Sequence, residues 1–179
     1  MSLSLVKHYC DILEITPAML NTWLIEMPDD VVRQNEGSDT WSPLDIVGHL
    51  IHNEETDWLP RIQIILGSAE DKTFEPFDRE AHFERFKDRS LVERLNRFSS
   101  LRFRNIREIR KLNLTESDLE REGIHPGFGP VNLRQLLAAY VAHDQTHIYQ
   151  IARCVSYPLR EEVGPWKAYL KILNQNYTG

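Results

Sequence analysis

Ahead of three long apolar-patterned runs in this chain, a residue able to cap a helix is followed three positions later by a side chain that can return the bond. The pairs are Ser42 with Asp45, Ser90 with Glu93, and Asn132 with Gln135. Each pair satisfies backbone N–H groups that a helix start otherwise leaves orphaned, so each marks where a helix begins. Pro43 follows the first cap at a position where its missing N–H is not needed. Thr16-Pro17 reads the same way and opens a helix to about Met27. Leu3 to Glu14 is then a separate helical stretch, with Pro17 breaking the continuity. The helix from Pro43 runs to Leu66 with a kink at Pro60, the one after Ser90 reaches Leu112, and the last long one spans Leu133 to about Ser156. Gly164-Pro165 introduces a short terminal helix, Trp166 to about Asn174. Strand patterns are scarce, although the turn-forming cluster GIHPGFGP within 113–131 suits a small hairpin. The segments 28–41, 67–89 and 113–131 are long for simple links. The expected architecture is all-α: a four-helix bundle with long crossover connections and a short C-terminal helix, one domain over 1–179.

Composition removes several classes of function. Lys and Arg number 21 against 27 Asp and Glu, a net charge of −6, and an acidic chain is a poor general binder of nucleic acid. No apolar run approaches the roughly 18 residues that a membrane span requires, so no membrane partner is expected. Cys10 and Cys154 cannot form a disulfide framework and no secretory signal is visible, which makes a cytoplasmic setting the expectation.

At 100° per residue, Leu133, Leu136, Leu137, Tyr140, Ile148, Ile151 and Val155 form one apolar stripe, and His143 and His147 lie along its edge. Their i, i+4 spacing stacks two imidazoles one turn apart, where they can share a metal ion or simply sit in the core. His49 lies on a polar stripe with Asp45, Asn53, Thr56 and Gln63, which is either a solvated face or the lining of a wet cavity. His52, three residues on, could be the ligand instead, but reads mainly as a residue of the surface or the cavity rim. His125 reads as a structural loop residue, with reach toward a cavity as the lesser option, whereas His8 and His82 look like ordinary surface residues. The spellings His-Glu-x-x-His, Gly-x-Ser-x-Gly and the phosphate-binding glycine loops are absent, and a di-metal carboxylate centre lacks its second Glu-x-x-His.

Three stretches, WSPLDIVGHLIHNEETDWLPRIQIIL, HPGFGPVNLRQLLAAYVAHDQTHIYQIAR and EVGPWKAYLKIL, resemble the DinB/YfiT-like superfamily, most specifically in GHL and HDQTH. The resemblance implies a metal-binding four-helix bundle in which one histidine of the second helix and two of the fourth hold a divalent ion, zinc or nickel. Carried onto this chain, these are His49, His143 and His147. It also implies a homodimer, with Trp23, Trp166, Tyr169 and Leu170 as spare apolar side chains, and a small-molecule substrate that includes a thiol or a hydrolysable bond.

Between Arg89 and Leu112 stand eight basic and two acidic residues, either an anion-attracting rim or a solvated face paired with the acidic remainder. Arg102 differs, because it falls on the apolar stripe of Leu95, Phe98, Ile106 and Ile109. A buried guanidinium needs an anionic partner, and Glu54, Glu55 and Asp144 are within the inward faces of neighbouring helices. Arg102 and Asp144 are therefore candidates for a structural ion pair or for the surroundings of the site. Asn53, Thr56, Tyr140 and Gln150 are candidates to orient ligands. Three imidazoles leave a metal at least one open position, which suits catalysis better than a closed four-ligand structural site. The reading is a metal-dependent enzyme, a thiol S-transferase or a hydrolase, with a non-catalytic dimeric metal-binding module as the remaining alternative.

Overall fold

The structure, a computed structural model, describes residues 2–37 and 39–173. Its helices are α1 (Ser2–Leu24), α2 (Asp29–Arg33), α3 (Pro43–Thr56), α4 (Trp58–Leu66), α5 (Ala81–Phe86), α6 (Leu91–Lys111), α7 (Glu116–Leu119) and α8 (Leu133–Ser156). A hairpin of β1 (Glu122–His125) and β2 (Gly129–Asn132) enters α8. The caps at Ser42, Ser90 and Asn132 all form as reciprocal pairs, and α6 and α8 begin where the sequence places them. Both α1 and α3 pack against α6 and α8, so the first and second long helices lie diagonally across the bundle, as do the third and fourth, while α3 and α6 are neighbours. That arrangement forces the long crossovers, which are themselves occupied by α2, α5 and α7.

Two helix boundaries depart from expectation, each at a proline. The helix opened at Pro43 ends at Thr56 and a new one starts at Trp58, with Asp57 at φ −112° and ψ −75° between them. Pro60 has no N–H for the Thr56 carbonyl and its ring crowds that carbonyl, so the break falls where the clash is relieved, three residues before the proline. At Pro17 the opposite happens: α1 passes straight through it. Thr16 caps nothing, and its hydroxyl donates to Asp144 Oδ2 at 2.6 Å. The carbonyl of Leu13, which Pro17 leaves without its helical donor, accepts instead from Arg102 Nη1 at 2.9 Å. The partner that makes a mid-helix proline tolerable comes from another helix.

That contact belongs to a polar layer across the bundle. Arg102 is fully buried, with Nε on Glu54 Oε1 at 2.8 Å and its two terminal nitrogens on Asp144 at 2.6 and 2.8 Å. Tyr140 donates to Glu54 at 2.6 Å and Asn105 Nδ2 to Glu54 Oε2 at 2.9 Å. The guanidinium also stands 4.8 Å from the Phe98 ring centre and 4.9 Å from that of Tyr140. The layer divides the hydrophobic core in two. Leu13, Trp58, Ile106 and Tyr140 belong to one half, and Leu20, Ile51, Phe98 and Ile151 to the other. Each long helix therefore crosses between the halves through a charged or hydroxyl side chain. Much of the remaining charge on α6 is also engaged: Arg110 with Glu14 and Asp11, Arg97 with Glu55, and buried Arg94 with the carbonyls of Leu44 and Phe86.

After α8 the chain makes 3-10 turns at Tyr157–Leu159, Gly164–Ala168 and Lys171–Leu173, where a terminal α-helix was expected; Asn174 lies outside the described residues. Trp166 and Tyr169 stand exposed on this segment. The loop after α4 is tied down at residues 72–74, where Ile124 exchanges backbone hydrogen bonds of 2.9 Å with Lys72 and Phe74. Gly123 makes the closeness possible, since a Cβ there would lie 2.4 Å from the Phe74 ring. No helix among the described residues is long and apolar enough to cross a membrane.

Candidate metal centre

Capped at Ser42, α3 brings His49 to the bundle interior in its second turn, and α8 presents His143 and His147 on one face, one turn apart. The three rings converge through Nε2. His143 Nε2 is 3.2 Å from that of His49 and 3.1 Å from that of His147. A tetrahedral ion with metal–nitrogen bonds of about 2.0–2.1 Å places neighbouring nitrogens about 3.3 Å apart, so this cluster could hold one ion with little adjustment. Among the described residues no other group of histidine, cysteine, aspartate or glutamate is so placed. Burial pushes all three imidazoles below their usual range, His49 and His143 furthest, and for those two the neighbouring rings add to it. They are neutral at ordinary pH, which is the form that offers a lone pair to a metal.

Gln150, one turn beyond His147, places its carbonyl oxygen 2.9 Å from His147 Nδ1. As an acceptor it holds the proton on Nδ1 and leaves Nε2 free toward the centre, the usual task of a residue behind a metal ligand. The Nδ1 atoms of His49 and His143 are buried with no partner among the described residues. Trp41 packs on His49 with ring centres 4.7 Å apart and lies nearly parallel to His147, Phe77 meets His49 edge-on, and Trp58 meets His143 edge-on. The buried thiol of Cys154 helps to hold this wall, donating to the Trp41 carbonyl at 3.2 Å.

The cluster opens into a cavity of about 870 Å³, whose lining includes Trp41, Asn53, Asp57, Phe77 and Arg79. Large enough for a small molecule, it answers the question left by the polar stripe of α3. His49 and Asn53 line the cavity, and Asn53 Nδ2 bonds the His49 carbonyl at 2.8 Å. Thr56 is exposed, with its hydroxyl on the His52 carbonyl, and takes no part in the site. Arg102 and Asp144 do not line the cavity; they belong to the polar layer, one residue along α8 from His143.

Other histidines sort differently from expectation. His52 turns away, with Nδ1 2.6 Å from Arg85 Nη1 and its ring on Phe77, so it is no part of the cluster. His125 reaches the cavity, stacked on Phe128 and accepting from the Gly127 N–H at 3.0 Å. His82 corrects a surface assignment. It is wholly buried against Trp41 and Phe83, and burial brings its imidazole down to about 4. A charged sequence neighbourhood concealed a position that the folding of the 67–89 loop over Trp41 creates. Asp57 and Arg79 escaped the sequence reading altogether. Asp57 occupies the break that Pro60 imposes, which a sequence can suggest, whereas Arg79 lies in a loop with no periodicity to read.

An all-helical bundle with three convergent neutral imidazoles at the floor of an open cavity defines a class: helical proteins built around a prospective mononuclear metal site. The DinB superfamily profile matches residues 12–151, and the chain belongs to that superfamily. Among solved structures, one similar to it is YfiT from Bacillus subtilis, described as a probable metal-dependent hydrolase with an unusual four-helix bundle topology. The TM-score is 0.72 and the identity 22%, covering 86% of this chain and 87% of that one. That likeness establishes the shared fold. No curated protein matches.

Proposed function

We propose that His49, His143 and His147 hold one divalent ion, zinc or nickel, and that the protein is a metal-dependent enzyme acting on a small molecule in the cavity above them. The observation that carries this reading is the convergence of three neutral Nε2 atoms on one point that is open to an 870 Å³ cavity. When bound, the ion supplies Lewis acidity and lowers the pKa of a coordinated nucleophile. The protein's own residues do the rest. Gln150 sets the His147 tautomer, Trp41, Phe77 and Trp58 exclude water from the ligands' flanks, and the cavity holds the second reactant beside the open position.

The finer reading is a thiol S-transferase, in which the nucleophile is a low-molecular-weight thiol and the acceptor an electrophilic small molecule. Hydrolysis by coordinated water is the second reading, favoured by the description of YfiT. Metal analysis of protein purified without chelators tests the centre: about one equivalent for wild type, with sharp loss in His143→Ala and His147→Ala. Full occupancy in both variants would defeat the assignment. A screen of the loaded protein with small thiols and with ester and amide substrates then separates transfer from hydrolysis. We further propose a cytoplasmic homodimer that uses the exposed Trp166 and Tyr169. A solution mass near 21 kDa by light scattering would rule the dimer out.

A further inference from the structure

The charges around the cavity mouth are unevenly matched. Glu36 is taken by Arg153, with Nε and Oε1 2.9 Å apart, and Asp57 by Arg61, 2.6 Å away. Arg79 lines the same cavity, and among the described residues its side chain makes no ion pair or hydrogen bond. Its loop is held in place on both sides. Phe77 packs against His49 and His52, and Asp78 Oδ1 accepts from the backbone N–H groups of Glu80 and Ala81 at 3.0 and 3.1 Å. Asp39 and Glu80 also line the mouth, and Arg79 shares the cavity lining with all three imidazoles. A cation on the wall of a cavity that also holds a divalent cation is repelled by that occupant. The arrangement becomes favourable when an anion lies between them.

We propose that Arg79 is the specificity-determining residue of the cavity and that the substrate carries a carboxylate which Arg79 binds while the rest of the molecule faces the three histidines. This deepens the metal-enzyme reading and rests on it. A carboxylate fits better than a phosphate, because one guanidinium fork matches two carboxylate oxygens, whereas a phosphate dianion calls for several donors and would meet Asp39 and Glu80 at the rim. The aromatic walls at Trp41 and Phe77 suit an apolar body between the two ends of such a molecule.

Two binding arms test this, each with wild type, Arg79→Gln and Arg79→Lys. In the first, metal-free protein is titrated calorimetrically with benzoate and with its neutral isostere benzamide. In the second, cobalt-loaded protein is titrated with 3-mercaptopropionate and 3-mercaptopropionamide and read by thiolate-to-cobalt absorption. Wild type is expected to prefer the carboxylate by at least about tenfold, since a charge-assisted bidentate contact is worth that much. Arg79→Gln should erase the preference with cobalt stoichiometry unchanged, and Arg79→Lys should keep part of it. Equal affinities in wild type, or a preference that survives in Arg79→Gln, overturns the proposal. If wild type takes up no cobalt, the metal reading fails by itself, and the benzoate arm still decides the role of Arg79.

Discussion

Two clusters of buried polar side chains lie next to each other on α8, joined by the bond between His143 and Asp144, and they are built on opposite terms. In the Arg102 layer every charged group has partners: Glu54 and Asp144 take the guanidinium, Tyr140, Asn105 and Thr16 take their remaining oxygens, and even the carbonyl freed by Pro17 is used. Around the cavity the accounts stay open. The buried side-chain atoms without a hydrogen bond among the described residues are His49 Nδ1, His143 Nδ1, both ring nitrogens of His82 and Asp57 Oδ1. All belong to the cavity lining or to His82, packed behind it. Unpartnered buried polar atoms cost stability, and a fold tolerates them where it has another use for them. The first cluster holds the helices together, and the second leaves buried polar atoms without hydrogen bonds beside an open cavity.

The largest expected effect tests the structural half of that contrast. Arg102→Ala removes the cation from between two buried carboxylates, and breaking such a pair costs roughly 3–5 kcal/mol. Urea unfolding of metal-free protein should show the loss. His143→Ala in the same assay should change stability far less, because it removes a ring whose Nδ1 has no partner. A small effect of Arg102→Ala alongside a large one for His143→Ala would reverse the roles assigned to the two clusters.

Asp57 gives the contrast a pH signature. Burial raises its carboxyl to about 6, although Arg61 pulls it back; Arg61 Nε is close at 2.6 Å but too poorly aligned for a hydrogen bond. From its ordinary value near 3.8 up to about 6, the folded protein holds a proton that the unfolded chain has released. The stability from this group is therefore complete below the lower value and is lost as pH rises through the upper one, by at most about 3 kcal/mol. Stability measured across pH 4–7 should fall less steeply for Asp57→Asn than for wild type. Parallel curves would mean that Asp57 is not desolvated.

A smaller effect separates orientation from ligation. Gln150→Leu leaves the three imidazoles but removes the acceptor that sets the His147 tautomer. Losing such a partner weakens metal binding by about 10–100-fold. Competition with a chelator should show that loss, with metal-free stability little changed. Unaltered affinity would place the orienting force in the ring packing against Trp41.

Helix starts were legible because capping is local: the residues that satisfy the first N–H groups lie within four positions of them. The two histidines of α8 were legible for the same reason, and Arg102 betrayed itself as a charge in the middle of an apolar stripe. Contacts across long separations were not legible. Nothing near His82 foretells Trp41 against its ring, and Arg79 acquires its meaning only when the 67–80 loop is laid over the cavity. Thr16-Pro17 shows the limit most sharply, because the same two residues serve as a helix start or as an interior kink site. The deciding group, Arg102, is 89 residues from the carbonyl it rescues.

That dependence yields the smallest effect. Replacing a proline inside a helix by alanine ordinarily returns about 3 kcal/mol, since the N–H regains its carbonyl and the ring clash disappears. In α1 the carbonyl of Leu13 is already bonded to Arg102, so the restored N–H of Pro17→Ala would compete for an acceptor in use. A carbonyl has two lone pairs and can take both donors, but the second bond adds little to a group already satisfied. The alanine chain also loses more backbone freedom on folding than proline does. Pro17→Ala should therefore lie within about 1 kcal/mol of wild type in urea unfolding. In an Arg102→Ala background, where Leu13 has lost its donor, the same substitution should be clearly stabilising. Two distant changes that couple in this way report a shared partner. Simple additivity of the two would show that Arg102 does nothing for the proline.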